Sequence, residues 1–174
     1  YFATLPAEAK VGTLENAERM RELDAVSNEK VRLEKYYVWK LLCYALERSF
    51  GMRGKKLSFT KEKWGGWSVD GAELSLSHSN GVLAVAVSRA PIGIDVERVS
   101  VPSAQRVAQS ILNEGELAVF NGMDGDRDEW LIRIWTAKEA YFKCTALPFG
   151  KWKSVDVLGV TDCTVEYIDH DKLI

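Results

Sequence analysis

Three short stretches combine residue types that could do chemistry on phosphate. In the first, Asp95 and Glu97 stand two apart in Ile92-Gly93-Ile94-Asp95-Val96-Glu97. On a strand, that spacing turns both carboxylates to one face while Ile94 and Val96 enter the core. Magnesium favours oxygen ligands of this kind, often with phosphate oxygens completing its shell. A solvated strand edge is the other reading, and Gly93 would let a ligand or neighbouring backbone approach closely. In the second stretch, Trp135-Thr136-Ala137-Lys138-Glu139-Ala140-Tyr141-Phe142-Lys143, Glu139 and Lys143 are four apart and share a helix face. They can form an ordinary ion pair. Alternatively, Glu139 is a third carboxylate toward a metal, with Lys138 and Lys143 answering phosphate charge and Trp135 and Phe142 anchoring the helix in a core. The third stretch, Ser77-His78-Ser79, offers hydroxyl and imidazole donors for phosphate.

Other chemistries lack their signatures. There is no G-x-S-x-G elbow for a serine hydrolase, and His78 and His170 are too few for a three-histidine metal site. Neither GxxxxGK[ST] nor GxGxxG occurs, which argues against a P-loop kinase or a dinucleotide dehydrogenase.

These residues need elements to hold them. Residues 1–5 read as a short strand, 12–26 as a helical segment carrying Leu14, Met20 and Leu23, and 28–50 as a long helix ended by Gly51 and Gly54. A brief strand at 57–59 and a turn at 64–67 follow. Residues 73–78 alternate polar and apolar, 83–88 are rich in valine and alanine, and Asn80-Gly81 between them predicts a hairpin. A fresh strand is expected at 92–97, helices at 102–112, 114–120 and 127–145, and strand pairs at 154–160 and 164–168. The order of elements in residues 1–90 parallels that in 91–174. This predicts an α+β fold made of a duplicated unit with antiparallel sheets related by a pseudo-twofold axis, and a ligand cleft between the halves; one α+β domain whose helices happen to resemble each other is the other reading.

The bulk composition is that of an ordinary soluble domain: 174 residues, 47% hydrophobic, 28% charged, net charge -2. That balance gives no reason to expect a nucleic-acid partner. No apolar run reaches membrane-spanning length, so no membrane association is expected. Residues 1–6 lack the pattern of a signal peptide and an initiator Met, so the native chain is free to begin earlier. Cys43, Cys144 and Cys163 are odd in number and widely spaced, which fits a reducing cytoplasm.

Taken in order, the three stretches resemble the 4'-phosphopantetheinyl transferases, specifically the two-halved, pseudo-dimeric class that acts on fatty-acid, polyketide and nonribosomal peptide carrier domains. Leu74-Ser75-Leu76-Ser77-His78-Ser79 is similar to the family's F-N-I-S-H-S block. Gly93 to Glu97 match its G-I-D-x-E block, and Trp135 to Lys143 its W-x-x-K-E-A-x-x-K block. The resemblance implies that Asp95, Glu97 and Glu139 surround a magnesium ion at the pyrophosphate of coenzyme A. It further implies that Lys138 and Lys143 hold phosphate or developing charge, and that Ser77 and His78 contact coenzyme phosphates. Glu139 would take the proton from a serine of an apo acyl or peptidyl carrier protein. That serine attacks the β-phosphate and releases adenosine 3',5'-bisphosphate. A monomer is expected, because two fused halves can build the site within one chain.

The chain departs from the family's pattern in two places. The family's basic turn before the first block is here Gly65-Gly66-Trp67, with Lys55, Lys61 and Lys63 as substitutes for its charge. A first-half helix arginine has no clear counterpart, leaving Arg32, Lys35 and Lys40 as candidates for the coenzyme's 3'-phosphate. Arg98, Gln105, Arg106, Val107, Ile111 and Leu112 are candidates for a carrier-docking surface, although the apolar three can equally bury one face of a helix. A homologue that binds coenzyme A or carrier without transfer, and a metal-dependent phosphohydrolase, are the competing readings.

Overall fold

Asn28 and Gly51 bracket the longest helix. The Asn28 side chain accepts the Val31 amide at 3.1 Å, and Gly51, at φ 67°, closes the other end with its amide on the Glu47 carbonyl. Between them α2 (Glu29–Phe50) buries Val38, Leu41, Leu42, Ala45 and Leu46 at the spacing of a single apolar face. The computed structural model describes residues 1–54, 57–63, 65–145 and 150–158.

The buried face of α2 lies on a three-stranded antiparallel sheet. Its strands are β1 (Phe2–Thr4), β4 (Glu73–Ser79) and β5 (Val82–Ser88), with β5 in the centre. The β4–β5 hairpin turns at Asn80 (φ 50°) and Gly81 (φ 88°). Two positive φ values match the tight two-residue turn that the Asn-Gly pair predicted. A second sheet, β2 (Phe59–Lys61) with β3 (Trp67–Val69), joins α2 through Trp39, whose ring centroid lies 4.5 Å from Phe59 and 4.8 Å from Trp67. Short α1 (Ala17–Asp24), capped by Asn16, packs on α2. Together these elements form the first of two hydrophobic cores.

The second core is helical. α3 (Ala104–Ile111), α4 (Glu114–Gly122), α5 (Arg127–Thr145) and a 3₁₀ turn (Trp152–Ser154) meet around Ile111, Leu112, Phe120, Leu131 and Val157. Its centre is polar. Lys138 is wholly buried and donates to Glu116 at 2.6 Å, to the Trp152 carbonyl at 2.8 Å and to the Ile111 carbonyl at 3.0 Å. Those three bonds use all three ammonium donors. Glu116 also caps α4 in a capping box with Asn113 and accepts the Val157 amide at 3.2 Å. One ion pair thus ties α3, α4, α5 and the 3₁₀ turn together.

The chain is therefore α+β, with two small sheets and interspersed helices. Three sequence expectations turn out differently. Residues 91–98 carry no regular secondary structure where a strand was expected. Residues 154–158 contain the end of the 3₁₀ turn and no strand, while 159–160, 164–168 and His170 lie outside the described residues. Among the described residues, the second half holds no sheet to compare with the first. No helix among them is long and apolar enough to cross a membrane.

Removing Lys138 strands Glu116 as an unpaired buried charge. Lys138→Ala is expected to cost about 3–5 kcal/mol of stability, measured by urea unfolding. A cost near zero would show that the second core does not depend on the pair.

Candidate functional site

Three alternate serines on β4 organise the site. Ser75 Oγ accepts the Ile94 amide at 3.0 Å, and Ser77 Oγ accepts the Val96 amide at 3.2 Å while donating to Asp95 Oδ1 at 2.7 Å. Ser79 Oγ donates to Glu97 Oε1 at 2.5 Å. Side chains two apart on a strand share a face, so the three hydroxyls line up beside the segment 94–97. Ser75 and Ser77 take backbone donors that a strand ladder would otherwise satisfy, which is why this segment follows β4 without becoming a strand.

On its far side the segment meets α5. A Cβ at Gly93 would overlap the Ala140 carbonyl and come within 2.8 Å of the Cys144 amide nitrogen, so only glycine permits this approach. Lys143 reaches across to donate to Asp95 Oδ1 at 2.6 Å and to the Ile94 carbonyl at 3.3 Å. Its ion pair is with Asp95, in place of the helical pair with Glu139 that the spacing allowed.

Asp95, Glu97, Glu139 and Lys143 line one cavity of about 340 Å³ together with Ser77, His78 and Trp135. Burial, and after it the neighbouring Asp95, raise the Glu139 carboxyl above the ordinary glutamate value; Lys143 opposes the rise and Glu97 adds to it. Lys138 does not share this cavity. One residue is about 100° of helix rotation, and that step carries Lys138 from the cleft into the second core, where Glu116 holds it. The assignment of Lys138 to phosphate binding or catalysis is corrected accordingly: its ammonium is completely buried and its donors are all used.

A second cavity, about 310 Å³, adjoins the first and shares Leu76, His78 and Lys143 with it. Arg19, Lys35 and Lys61 make its wall basic, with Glu22 between them. Arg19 is held by Glu22 at 2.8 Å, by the Lys35 carbonyl at 2.7 Å and over the Trp39 ring at 5.2 Å. Lys61 pairs with the same Glu22. Burial by itself would raise the Glu22 carboxyl, but hydrogen bonds from Lys61 and Arg19 bring it below the ordinary value.

The Gly65-Gly66-Trp67 turn borders this cavity, and among the lysines weighed for its missing charge Lys61 is in the wall while Lys63 is not. Lys55 lies outside the described residues. Among the α2 candidates Lys35 lines the cavity, Lys40 lines a different one beside Cys43 and Glu47, and Arg32 lines neither. Sequence reasoning missed Arg19, whose only signal was its helical placement three residues before Glu22.

The donor set suits magnesium in kind, since three carboxylates line one cavity and their mutual repulsion shows in the raised Glu139 carboxyl. Among the described residues, however, no group of three His, Cys, Asp or Glu side chains is drawn together as a metal cluster. Ser77 and Lys143 hold an Asp95 oxygen, and Ser79 holds one of Glu97.

A carboxyl raised on folding binds its proton more tightly in the folded chain. The stability this confers is full below the unfolded value of about 4.3 and is lost as pH rises through the raised value. With chelator present, Glu139→Gln is therefore expected to stabilise the protein at about pH 8 by on the order of 0.5–1 kcal/mol, the scale of partly exposed charge pairs. The gain should vanish at about pH 4. Thermal unfolding at the two pH values measures it, and an equal effect at both would exclude the charge repulsion.

No curated protein matches the chain. The model of the 4'-phosphopantetheinyl transferase superfamily matches residues 91–171, the stretch that holds Asp95, Glu97, Glu139 and Lys143.

Proposed function

We propose that this protein transfers the 4'-phosphopantetheine group of coenzyme A to a serine of an apo acyl or peptidyl carrier protein, releasing adenosine 3',5'-bisphosphate. The observation that carries the reading is the cavity where Asp95, Glu97 and Glu139 face Lys143, inside the part of the chain that matches the superfamily. The adjoining basic cavity supports it, because a pyrophosphate with a further phosphate needs both a metal-binding end and a cationic end.

Asp95, Glu97 and Glu139 would hold magnesium, which supplies neutralisation of pyrophosphate charge when bound. Lys143, paired with Asp95 in the same cavity, would answer charge on the leaving phosphate. Of the three carboxylates in the cavity, Asp95 and Glu97 accept hydrogen bonds from described residues and Glu139 does not, and Glu139 has a raised affinity for protons, which suits a general base. It takes the serine proton as the serine oxygen bonds to the β-phosphorus and the bond to the adenosine phosphate breaks. Lys35, Lys61 and Arg19 would hold the coenzyme's remaining phosphate, with His78 at the junction of the two cavities and Ser77 in the acidic one.

The two cores, one in each half, support a division of the chain into residues 1–90 and 91–174. Residues of both halves line each cavity, so one chain would suffice to build the site. For the carrier, Arg98 and Arg106 remain exposed, whereas Ile111 and Leu112 are buried in the second core and Val107 packs against it. A docking surface would thus rest on the arginines more than on the apolar residues of α3.

Incubating an apo carrier protein with this protein, coenzyme A and magnesium should raise the carrier's intact mass by one phosphopantetheine arm. Chelator, or alanine at the carrier serine, should abolish the gain. Glu139→Gln should slow it by about 10²–10⁴-fold, the usual contribution of a general base, while the variant stays folded. Coenzyme binding without mass gain on any carrier type would favour a binding homologue, and a near-normal rate in Glu139→Gln would remove that residue from the base role.

A further inference from the structure

His78 stands between the two cavities with its ring tied from behind. Its Nδ1 lies 3.0 Å from Oε2 of Glu34, a residue of α2 that is only 4% exposed. The other oxygen, Oε1, accepts the Gly81 amide at 2.6 Å. Lys30, one turn earlier on α2, donates to the Asn80 side chain at 2.5 Å, so the hairpin turn is bolted to the helix at two points. Among the described residues, His78 is the sole ionisable side chain paired with Glu34. A buried carboxylate needs a donor or a cation, and the imidazole supplies it.

This contact decides which ring nitrogen carries the proton. A carboxylate accepts only, so Nδ1 must donate, and in the neutral ring Nε2 is left as an acceptor. An acceptor pointed at a phosphate is unfavourable, and a proton on Nε2 turns it into a cationic donor. At rest, burial holds the imidazole below its ordinary value; Glu34 opposes this, while Lys35 on α2 and Arg19 on α1 reinforce it. Lys143, Asp95, Glu97 and Glu139 line the cavity on its other side. The resting ring is thus neutral at pH 7, and an incoming anion shifts the balance toward the cation.

We infer that Glu34 is a positioning residue that fixes the His78 tautomer, so that arrival of a phosphate in the cleft is coupled to uptake of one solvent proton at Nε2. The inference rests on the reading that His78 meets a coenzyme A phosphate. Glu34 is no catalytic residue: among the described residues its carboxylate hydrogen-bonds only His78 and the Gly81 amide.

The test uses Glu34→Gln in the full chain. The glutamine keeps an oxygen for the Gly81 amide but turns an NH₂ toward Nδ1, which must then accept. Nitrogen-15 NMR of the free proteins, with His78→Gln separating His78 from His170, should show an Nδ1–H ring in the wild type. The variant should show Nε2–H and a midpoint lower by about one unit or more.

Calorimetry at pH 7, in buffers of differing ionisation enthalpy, then counts protons taken up with coenzyme A and, separately, with inorganic pyrophosphate. The wild type should take up more protons than the variant, by up to about one per anion bound. An Nε2–H ring in the free wild type, equal proton counts in the two proteins, or failure of both anions to bind would each overturn the inference. Pyrophosphate-linked uptake without coenzyme A binding would leave the Glu34–His78 coupling standing and sink the transferase reading alone.

Discussion

Lys143 and Asp95 meet across the seam between two separately packed cores, and the arrangement of the cleft depends on how that seam is held. The segment from Gly93 to Glu97 belongs to neither core. Serines of β4 take its amides and carboxylates on one side, and α5 presses on Gly93 and reaches over with Lys143 on the other. The side chains of Lys143 and Asp95 are 20% and 9% exposed, so their attraction is partly offset by lost hydration. What the pair contributes is register. It sets α5 along the acidic segment so that Glu139, one turn before Lys143, enters the same cavity as Asp95 and Glu97.

The second core secures the helix that bears these groups. Apolar packing would leave α5 free to turn about its axis, but Lys138 pins its rotation through Glu116 and two carbonyls. With Lys138 directed inward, its neighbour Glu139 is directed to the cleft. Adjacent residues of one helix thus divide between holding the scaffold and facing the cleft. On the opposite wall Glu34 does for β4 what Glu116 does for α5: each is a nearly or wholly buried carboxylate that binds a backbone amide and one cationic or titratable side chain. In the cleft, Glu139, His78, Glu22 and Arg19 are groups whose proton affinity the surroundings displace.

Residues whose partners lie within a turn or two of chain were legible from sequence. The caps at Asn28 and Gly51, the hairpin at Asn80-Gly81 and the extent of α5 follow from local backbone preferences, and the structure has them there. Periodicity also brought Asp95 with Glu97, and Glu139 with Lys143, to candidate faces, because spacing alone sets which side chains share a side. The strand expected at 92–97 failed for a related reason. Its apolar alternation was real, but the hydroxyls 19 residues earlier replaced a ladder partner, and no local signal announces that.

The sequence by itself thus determined the inventory: the acidic pair, the Lys-Glu helix, the serine-histidine strand, and the elements on which each stands. Tertiary structure decided which charges are spent on the fold and which face the cleft. Lys138 and Lys143 are equivalent in composition and motif, yet one is locked against Glu116 and the other spans the seam to Asp95. Arg19 and Lys61 became cavity walls because both answer Glu22, a meeting between α1 and the second sheet that spacing along the chain does not encode. The physical reason is that a buried charge goes where a partner awaits it, and partners distant in sequence become neighbours only after the cores have packed.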